Sequence, residues 1–392
     1  MHQRPHSAGS GPAAGVPGLR WGLHTAAAPG GADGVERGRL CGLSPLSAMT
    51  DCIRLAHGGG GALMRDLIQQ ELRPLLPGQG LARSGGGGEA AVVLHDAAVL
   101  PSSAAPLAFS CDGYVVQPLE FPGGDIGSLA VTGTANDLAM AGARPRYLSV
   151  SLILEEGLPL ELLRRVVASM AAAAAESGME IATGDTKVVE RGKADGIFIS
   201  TSGLGVVEAP AAISPAAIRP GDVLLLSGDL GRHGMAILAA RHGLDLQPPV
   251  LSDCAPLWPL VAALLAAGVQ PHCLRDLTRG GLAAALQELA DDSGCDLVLE
   301  EARIPVAPAV SRCCDLLGFD PLHLANEGRC VLVVPPDQAA AALAVLAATG
   351  GAVVGAVEAW AERSAPRVRL RTPLGTERFL MPLSGELLPR IC

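Results

Sequence analysis

The chain has 392 residues and a formal net charge of −10, with a sequence pI near 5.4, so it lacks the basic surface that binding to nucleic acid or to an anionic membrane requires. Its length suffices for two domains, each with a core of its own. Aromatic residues make up 3% while Gly contributes 49 positions and Pro 30, which points to cores of Ala, Leu and Val joined by many tight turns.

Ten cysteines occur without any C-x-x-C spacing, and the adjacent Cys313 and Cys314 are badly placed to bridge each other. With no secretory signal, that scatter reads as reduced cytoplasmic thiols and not as a disulfide frame or a zinc site. Residues 1–50 are rich in Gly, Ala, Pro and Arg without apolar periodicity. They read as a disordered N-terminal extension; a transit-like leader, or a start at Met49, are the alternatives. Order is expected from Ile53.

His57 opens the run Gly58, Gly59, Gly60, Gly61, followed by Met64, Leu67 and Ile68 at helical spacing. Consecutive glycines let backbone N–H groups approach an anion, and a following helix adds its positive end; a plain connector is the other reading. A second run, Gly85 to Gly88, reads as a loop before a strand at 91–94. Acidic residues then fall where strands are expected to end. Asp96 follows Val92 to Leu94, Asp112 follows Leu107 to Phe109, and Asp185 follows Ile181 within Thr183-Gly-Asp-Thr-Lys187, while Asn136 and Asp137 sit in Gly133-Thr-Ala-Asn-Asp-Leu. Carboxylates that converge at strand ends can hold Mg²⁺ carrying a nucleotide's phosphates. Each alone could be a cap or turn former.

Leu162, Leu163, Val166, Val167 and Met170 form the stripe of a helix that starts near Pro159 and stops at Gly178. Glu155 and Glu156 in front of it are assigned only to its dipole. A domain boundary is expected near Pro210 to Pro220. Beyond it, Asp222 to Leu226 reads as a buried strand, and Ser227 to Gly234 as a Gly-rich turn into a helix over Met235 to Arg241, without the spacing of a Walker loop. His233 reads more simply as a loop histidine than as a ligand contact. Asp253 to Ala267 is expected to be helical, and Asp276 and Thr278 to cap a helix bearing Leu282, Leu286 and Leu289. Glu327, between Asn326 and Gly328 ahead of the strand Cys330 to Val334, is either a solvent-facing turn residue or a base whose pKa burial lifts. Ala339 to Val357 runs 19 residues without a charge, but Thr349, Gly350 and Gly351 divide it, so a helix, a turn and a buried strand are predicted in place of a membrane span. The sequence closes on Cys392. Behind it, Pro382 to Leu388 reads as a loosely held tail whose eight extended residues would reach roughly 26 Å, unless the cysteine is an accident of a frayed end.

Several phrases together resemble one family: Phe121-Pro-Gly-Gly-Asp-Ile-Gly, Gly133-Thr-Ala-Asn-Asp-Leu-Ala-Met, Glu155-Glu-Gly-Leu-Pro159, Gly184-Asp-Thr-Lys-Val-Val, Arg275-Asp-Leu-Thr-Arg-Gly-Gly, Ala325-Asn-Glu-Gly and Pro389-Arg-Ile-Cys. From about Ile53 to Cys392 the chain resembles the HypE family of nickel-iron hydrogenase maturation proteins, in the superfamily of aminoimidazole ribonucleotide synthetase and selenophosphate synthetase. The terminal cysteine distinguishes that family from the rest of the superfamily. The resemblance implies an α/β (α+β) two-domain PurM-like fold. An N-terminal sheet domain (51–214) would pair with a second copy to close a barrel, a C-terminal domain (215–380) would pack behind it, and a mobile tail (381–392) would carry the thiol.

The same resemblance implies a carbamoyl dehydratase, a lyase. A carbamoyltransferase, HypF, would load Cys392; ATP would phosphorylate the carboxamide oxygen; loss of phosphate would leave a thiocyanate; and the cyano group would pass to iron on a HypC–HypD complex. It places Glu327 as base, with Lys187 beside it steadying the developing charge or binding only the γ-phosphate. Asp96, Asp112, Asp137 and Asp185 would hold Mg²⁺ and the phosphates of ATP, with Asn136 and Thr186 in the same site and His57 and Gly58 to Gly61 folding over the nucleotide. The chain departs from the family at Ser110-Cys111-Asp112-Gly113 and at His95, without losing Asp96 or Asp112. The rival readings are another ATP-dependent synthetase of the superfamily, which would not need Cys392, and a non-catalytic carrier, which would need neither Lys187 nor Glu327.

Overall fold

The first sheet forms where apolar residues alternate. Leu107–Tyr114 (β1), Ala143–Glu155 (β4), Glu180–Val189 (β5) and Ile197–Val207 (β6) stand in the order β1-β6-β4-β5. β6 runs antiparallel to both neighbours, and β4 and β5 are parallel, as a helical crossover requires. The computed structural model describes residues 52–54, 57, 67–76, 105–360, 367–381 and 391–392. The expected extension at 1–50, Gly58 to Gly61, Gly85 to Gly88, the strand at 91–94, Asp96 and most of the tail (382–390) lie outside the described residues.

Two helices cover one face of this sheet. Ile126–Met140 (α1) follows the two-residue ladder of Glu120–Phe121 (β2) with Gly124–Asp125 (β3), and begins in a capping box. Asp125 accepts from the N–H groups of Gly127 and Ser128, and the Ser128 hydroxyl accepts from Asp125 N–H, so the helix starts at a defined residue. α1 is buried nearly all round because it lies between the first sheet and the second half of the chain. Small residues make that possible: a Cβ on Gly133 would overlap Tyr114 Oη. Leu160–Ser177 (α2) buries the predicted stripe of Leu163, Val166, Val167 and Met170 and ends at Gly178 with φ 69°.

The second sheet has seven strands in the order β13-β12-β9-β11-β7-β10-β8: Glu377–Phe379 (β13), Val368–Arg371 (β12), Asp296–Glu300 (β9), Ala352–Glu358 (β11), Val223–Leu226 (β7), Cys330–Val334 (β10) and Cys273–Asp276 (β8). Period-two alternation assigns its faces. Leu224, Leu226, Val331 and Val333 pack with Leu282, Leu286 and Leu289 of Gly281–Ser293 (α5). Leu225, Leu332 and Val334 pack with Trp258–Ala266 (α4) and Ala339–Leu346 (α7). Arg232–His242 (α3) and Pro308–Leu317 (α6) form a side cluster through Met235, Leu238, Val310 and Cys314. The uncharged 339–357 stretch is α7, a 3-10 turn and β11, and among the described residues no helix is long and apolar enough to cross a membrane.

Three local readings are corrected. Asp112 and Asp185 do not terminate strands; both lie within them. The helix expected from Asp253 starts at Trp258, because the buried Asp253 carboxylate is taken by the main-chain N–H groups of His233, Glu327 and Gly328 at 3.0, 3.2 and 3.1 Å. Glu155 serves a loop and not only a helix end: its carboxylate accepts from Gly192 and Gly196 N–H.

Candidate active site

The end of the chain returns to the junction of the two halves. Ile391 is 4% exposed and joins the cluster that holds Tyr114, Ile237 and Ala325. Its carbonyl accepts from His233 Nε2 at 2.8 Å, and the main-chain oxygen of Cys392 accepts from Val115 N–H at 3.3 Å. These contacts set the half-buried Cys392 sulfur 3.3 Å from Arg279 Nη2. Burial, followed by the charge of Glu327, pushes the thiol up to about 12, with Arg279 opposing.

Glu327 is brought to this pocket by the loop ahead of β10, which can fold so tightly because residue 328 is glycine; a Cβ there would overlap the Asp253 carbonyl. The side chain is 2% exposed, and among the described residues its Oε1 has no hydrogen-bond partner. Burial and then the charges of Asp276, Asp253, Asp112 and Asp137 hold its carboxyl well above the usual glutamate range. Of the two readings open for Glu327, the solvent-facing turn is thereby excluded.

Asp112 and Asp137 complete the acidic side. Asp137 lies on α1 and accepts from Ser110 Oγ at 2.5 Å; burial raises its pKa, the Ser110 hydrogen bond opposes that, and Asp112 raises it further. Asp112 is exposed on the adjacent strand and accepts from Gly113 N–H at 2.7 Å. Asp276, expected to be a helix cap, is instead a partly buried member of the same group, at the end of β8, its carboxyl raised to about 6 by burial and then by Asp137. No local pattern marked it, since its neighbours come from other elements.

Other predicted residues stand elsewhere. Asp112 pairs with Thr201, Thr201 with Val150, and Asp185 with Ser151 next to Val150. Asp112 and Asp185 are therefore on nearly one row at opposite edges of the sheet, about 14 Å apart at three strand spacings. They also face opposite ways, Asp112 with the buried Thr201 toward α1, and Asp185 and Lys187 on the uncovered face. Lys187 is ion-paired to Asp185 at 2.7 Å, not set beside Glu327. Among the described residues no group of three His, Cys, Asp or Glu converges closely enough to hold a metal ion, so one chain does not assemble the expected four-aspartate shell; Asp96 is outside the described residues. Asn136 is not free to hold a nucleotide: its amide donates to the carbonyls of Ala255 (3.2 Å) and Glu327 (3.1 Å) and accepts from Leu257 N–H (2.7 Å). Thr186 lies within β5 and is buried. His57 is buried, its Nδ1 accepting from Arg54 N–H at 3.1 Å, and burial lowers its pKa.

The pocket thus joins a thiol, the Arg279 guanidinium and several carboxylates, of which Glu327, Asp276 and Asp137 have raised pKa values. Such a set can take a proton from a group on the sulfur, and its surplus negative charge suits a hard dication, which takes oxygen donors such as those of Asp112 and Asp137.

The chain is similar to known proteins over most of its length. The chain matches the families described as AIR synthase related protein, N-terminal domain, over residues 94–207 and AIR synthase related protein, C-terminal domain, over 219–364. It is 50% identical to carbamoyl dehydratase HypE of Rhodobacter capsulatus over 344 residues, covering 87% of this chain and 98% of that protein. A crystal structure of the hydrogenase maturation protein HypE in complex with ATP superposes with a TM-score of 0.81 at 44% identity, covering 86% of this chain and 99% of that one. The HypE of a HypE–HypF complex gives 0.67 at 43% identity, over 71% and 90%.

Proposed function

The chain belongs to the HypE family of carbamoyl dehydratases, which act in hydrogenase maturation and have the two-domain PurM-like fold, and from that membership we propose that Cys392 carries its own substrate into the Glu327 pocket. The reading is an ATP-dependent dehydration, Cys–S–C(=O)NH₂ + ATP → Cys–S–C≡N + ADP + phosphate. The observation that carries it is the seating of the Cys392 sulfur beside a buried glutamate oxygen that has no hydrogen-bond partner among the described residues.

ATP, when bound, supplies the phosphoryl group that makes the carboxamide oxygen a leaving group. Glu327 takes a proton from the carboxamide nitrogen; the burial that raises its pKa also makes its ionised form a stronger base. Arg279 orients the sulfur and offsets the negative charge around it. Asp112 and Asp137 are the oxygen donors suited to Mg²⁺, and Asp96 would join them. The crystal complexes of relatives with ATP and with HypF support assigning this chain an ATP site and HypF as the carbamoyl donor; HypC–HypD as the cyanide acceptor follows from the family role. The rival readings, a small-molecule synthetase and a non-catalytic carrier, are not favoured.

A homodimer belongs to the same proposal. The face of the first sheet away from α1 carries Phe109, 71% exposed, in line with Leu204 and Tyr147, and the paired Ile153 and Phe198 lie on the same face further along the strands. A second copy laid on this face would cover those side chains and would allow Lys187 and Asp185 of one protomer to serve the pocket of the other.

Intact-protein mass spectrometry tests the function. Carbamoylated protein given ATP is expected to lose about 18 Da, one water, on the Cys392 peptide, with no loss in Glu327→Gln. ATP turnover on a free substrate in a Cys392-deleted protein would overturn the reading.

A further inference from the structure

His233 is the polar group that meets the Ile391 carbonyl. Its ring is fully buried and held on every side: Nδ1 is 2.8 Å from Ser252 Oγ, its main-chain N–H donates to Asp253 Oδ1 at 3.0 Å, and the Phe121 ring meets it edge-on with centroids 5.3 Å apart. Nε2 is 2.8 Å from the Ile391 carbonyl oxygen. A carbonyl can only accept, so Nε2 carries the proton, and in the neutral ring Nδ1 then accepts from the Ser252 hydroxyl. Burial lowers the pKa of this ring, in keeping with the neutral tautomer. Nothing local to His233 needs this arrangement; its partner lies 158 residues away in sequence.

The rest of the receptor is specific for a dipeptide. Ile391 fills an apolar socket, Val115 N–H donates to the main-chain carboxylate oxygen of Cys392, and Arg279 meets the sulfur. A carbamoyl donor on another protein cannot reach a half-buried thiol in this socket, so the end of the chain must alternate between a seated and a released state. The seated state needs a contact that fixes the main chain without touching the reacting group.

We propose that His233 is the positioning residue of that state, a latch whose Nε2–H holds the Ile391 carbonyl and thereby seats Cys392 beside Glu327. The inference rests on the reading of Cys392 as the carrier and deepens it: the pocket recognises the Ile-Cys end of this chain through its main chain, so that loading and dehydration happen in different positions of one thiol.

The test compares full-length wild type, His233→Ala and His233→Gln. The first readout is the rate of iodoacetamide alkylation at Cys392, followed by peptide mass spectrometry with an added free cysteine peptide as reference. Loss of one buried hydrogen bond should speed Cys392 alkylation about tenfold in His233→Ala relative to that peptide, while the amide N–H of His233→Gln restores most of the protection. The second is single-turnover dehydration after loading, slowed about tenfold in His233→Ala with the extent of loading unchanged. A folded His233→Ala protein with wild-type alkylation at Cys392, or equal alkylation in the Ala and Gln variants, overturns the latch. Should His233→Ala fail to fold, Ser252→Ala, which keeps the ring but frees its tautomer, must still raise Cys392 alkylation, and an unchanged rate overturns the proposal. Alkylation involves neither ATP nor carbamoyl group, so a latch that holds while no dehydration occurs would sink the functional reading alone.

Discussion

Arg279 places its guanidinium 3.3 Å from the Cys392 sulfur, on the opposite account from Glu327, whose charge disfavours a thiolate there. Burial, with the acid adding to it, prevails over Arg279: the seated thiol is pushed up to about 12, against roughly 8.5 for a free cysteine. At physiological pH a seated sulfur is therefore a poor nucleophile, and a released one an ordinary one. Because the pKa is raised on seating, the seated state is fully favoured below about pH 8.5 and weakens as pH climbs toward 12. Alkylation of Cys392 should lag a free cysteine peptide at pH 8 and keep rising above pH 9, where the peptide levels off. Coincident pH profiles for the two would refute the seated arrangement.

Glu327→Gln keeps the side-chain volume and mimics the protonated acid, so the protein should remain folded with an unchanged or higher melting temperature. Dehydration should fall by about 10²–10⁴, the usual worth of a general base, with loading of Cys392 unaffected. A base must be ionised, so the wild-type rate should rise with pH through an apparent pKa above the ordinary glutamate value, a limb the variant lacks. A rate limb near pH 4 would remove Glu327 from the role.

Asn136→Ala separates a brace from a ligand. It would leave Leu257 N–H and the Ala255 carbonyl without this partner and the Glu327 carbonyl with only Ala255 N–H at 3.5 Å, and orphaned buried groups cost about 1–3 kcal/mol each, with part regained by relaxation. Denaturant unfolding should show a loss of about 2–4 kcal/mol, while the fraction still folded binds ATP with wild-type affinity. Weaker nucleotide binding at unchanged stability would restore Asn136 to the nucleotide site.

The same contrast shows what the sequence could and could not carry. The α2 stripe, the buried β7 and β10 and the leucines of α5 follow from local periodicity, and they are where predicted. For Glu327 the residues alone leave a solvent-facing turn and a base both open, and the family resemblance selects the base. Asn136, His233 and Asp253 were misread because their partners lie 119, 158 and 74 residues away, beyond any capping or turn rule. Asp185 and Lys187 were drawn into one site with Asp112 because strand order and facing, which separate them, are set by pairing between distant segments.

Asp276 offers a stability test. Its carboxyl is raised to about 6 by burial and then by Asp137, so the ionised form is disfavoured in the folded state. Relative to an unfolded value near 3.9, the advantage of holding the proton is complete below pH 4 and is lost as pH rises through 6; above that the native state carries a penalty of up to about 3 kcal/mol. Asp276→Asn should therefore stabilise the protein at pH 7.5 and match wild type at pH 3.5, as read by denaturant midpoints. An equal effect at both pH values would mean the residue is felt through packing and not through its charge.

Lys187 decides how many chains make one site. Within a protomer it lies on the far edge and opposite face of the sheet from Asp112, so a catalytic Lys187 has to act on the pocket of a second copy. Lys187→Ala and Glu327→Gln proteins should each fail alone. Mixed dimers, however, contain one pocket in which a native Glu327 and its own Cys392 meet a native Lys187 from the other copy. Random mixing makes half the dimers mixed, each with one intact pocket, so about a quarter of wild-type dehydration should return. Complementation at that level, with the 18 Da loss confined to the Lys187→Ala chain, would fix both the pairing and the direction of the contribution; no recovery after verified exchange would leave Lys187 without a catalytic part.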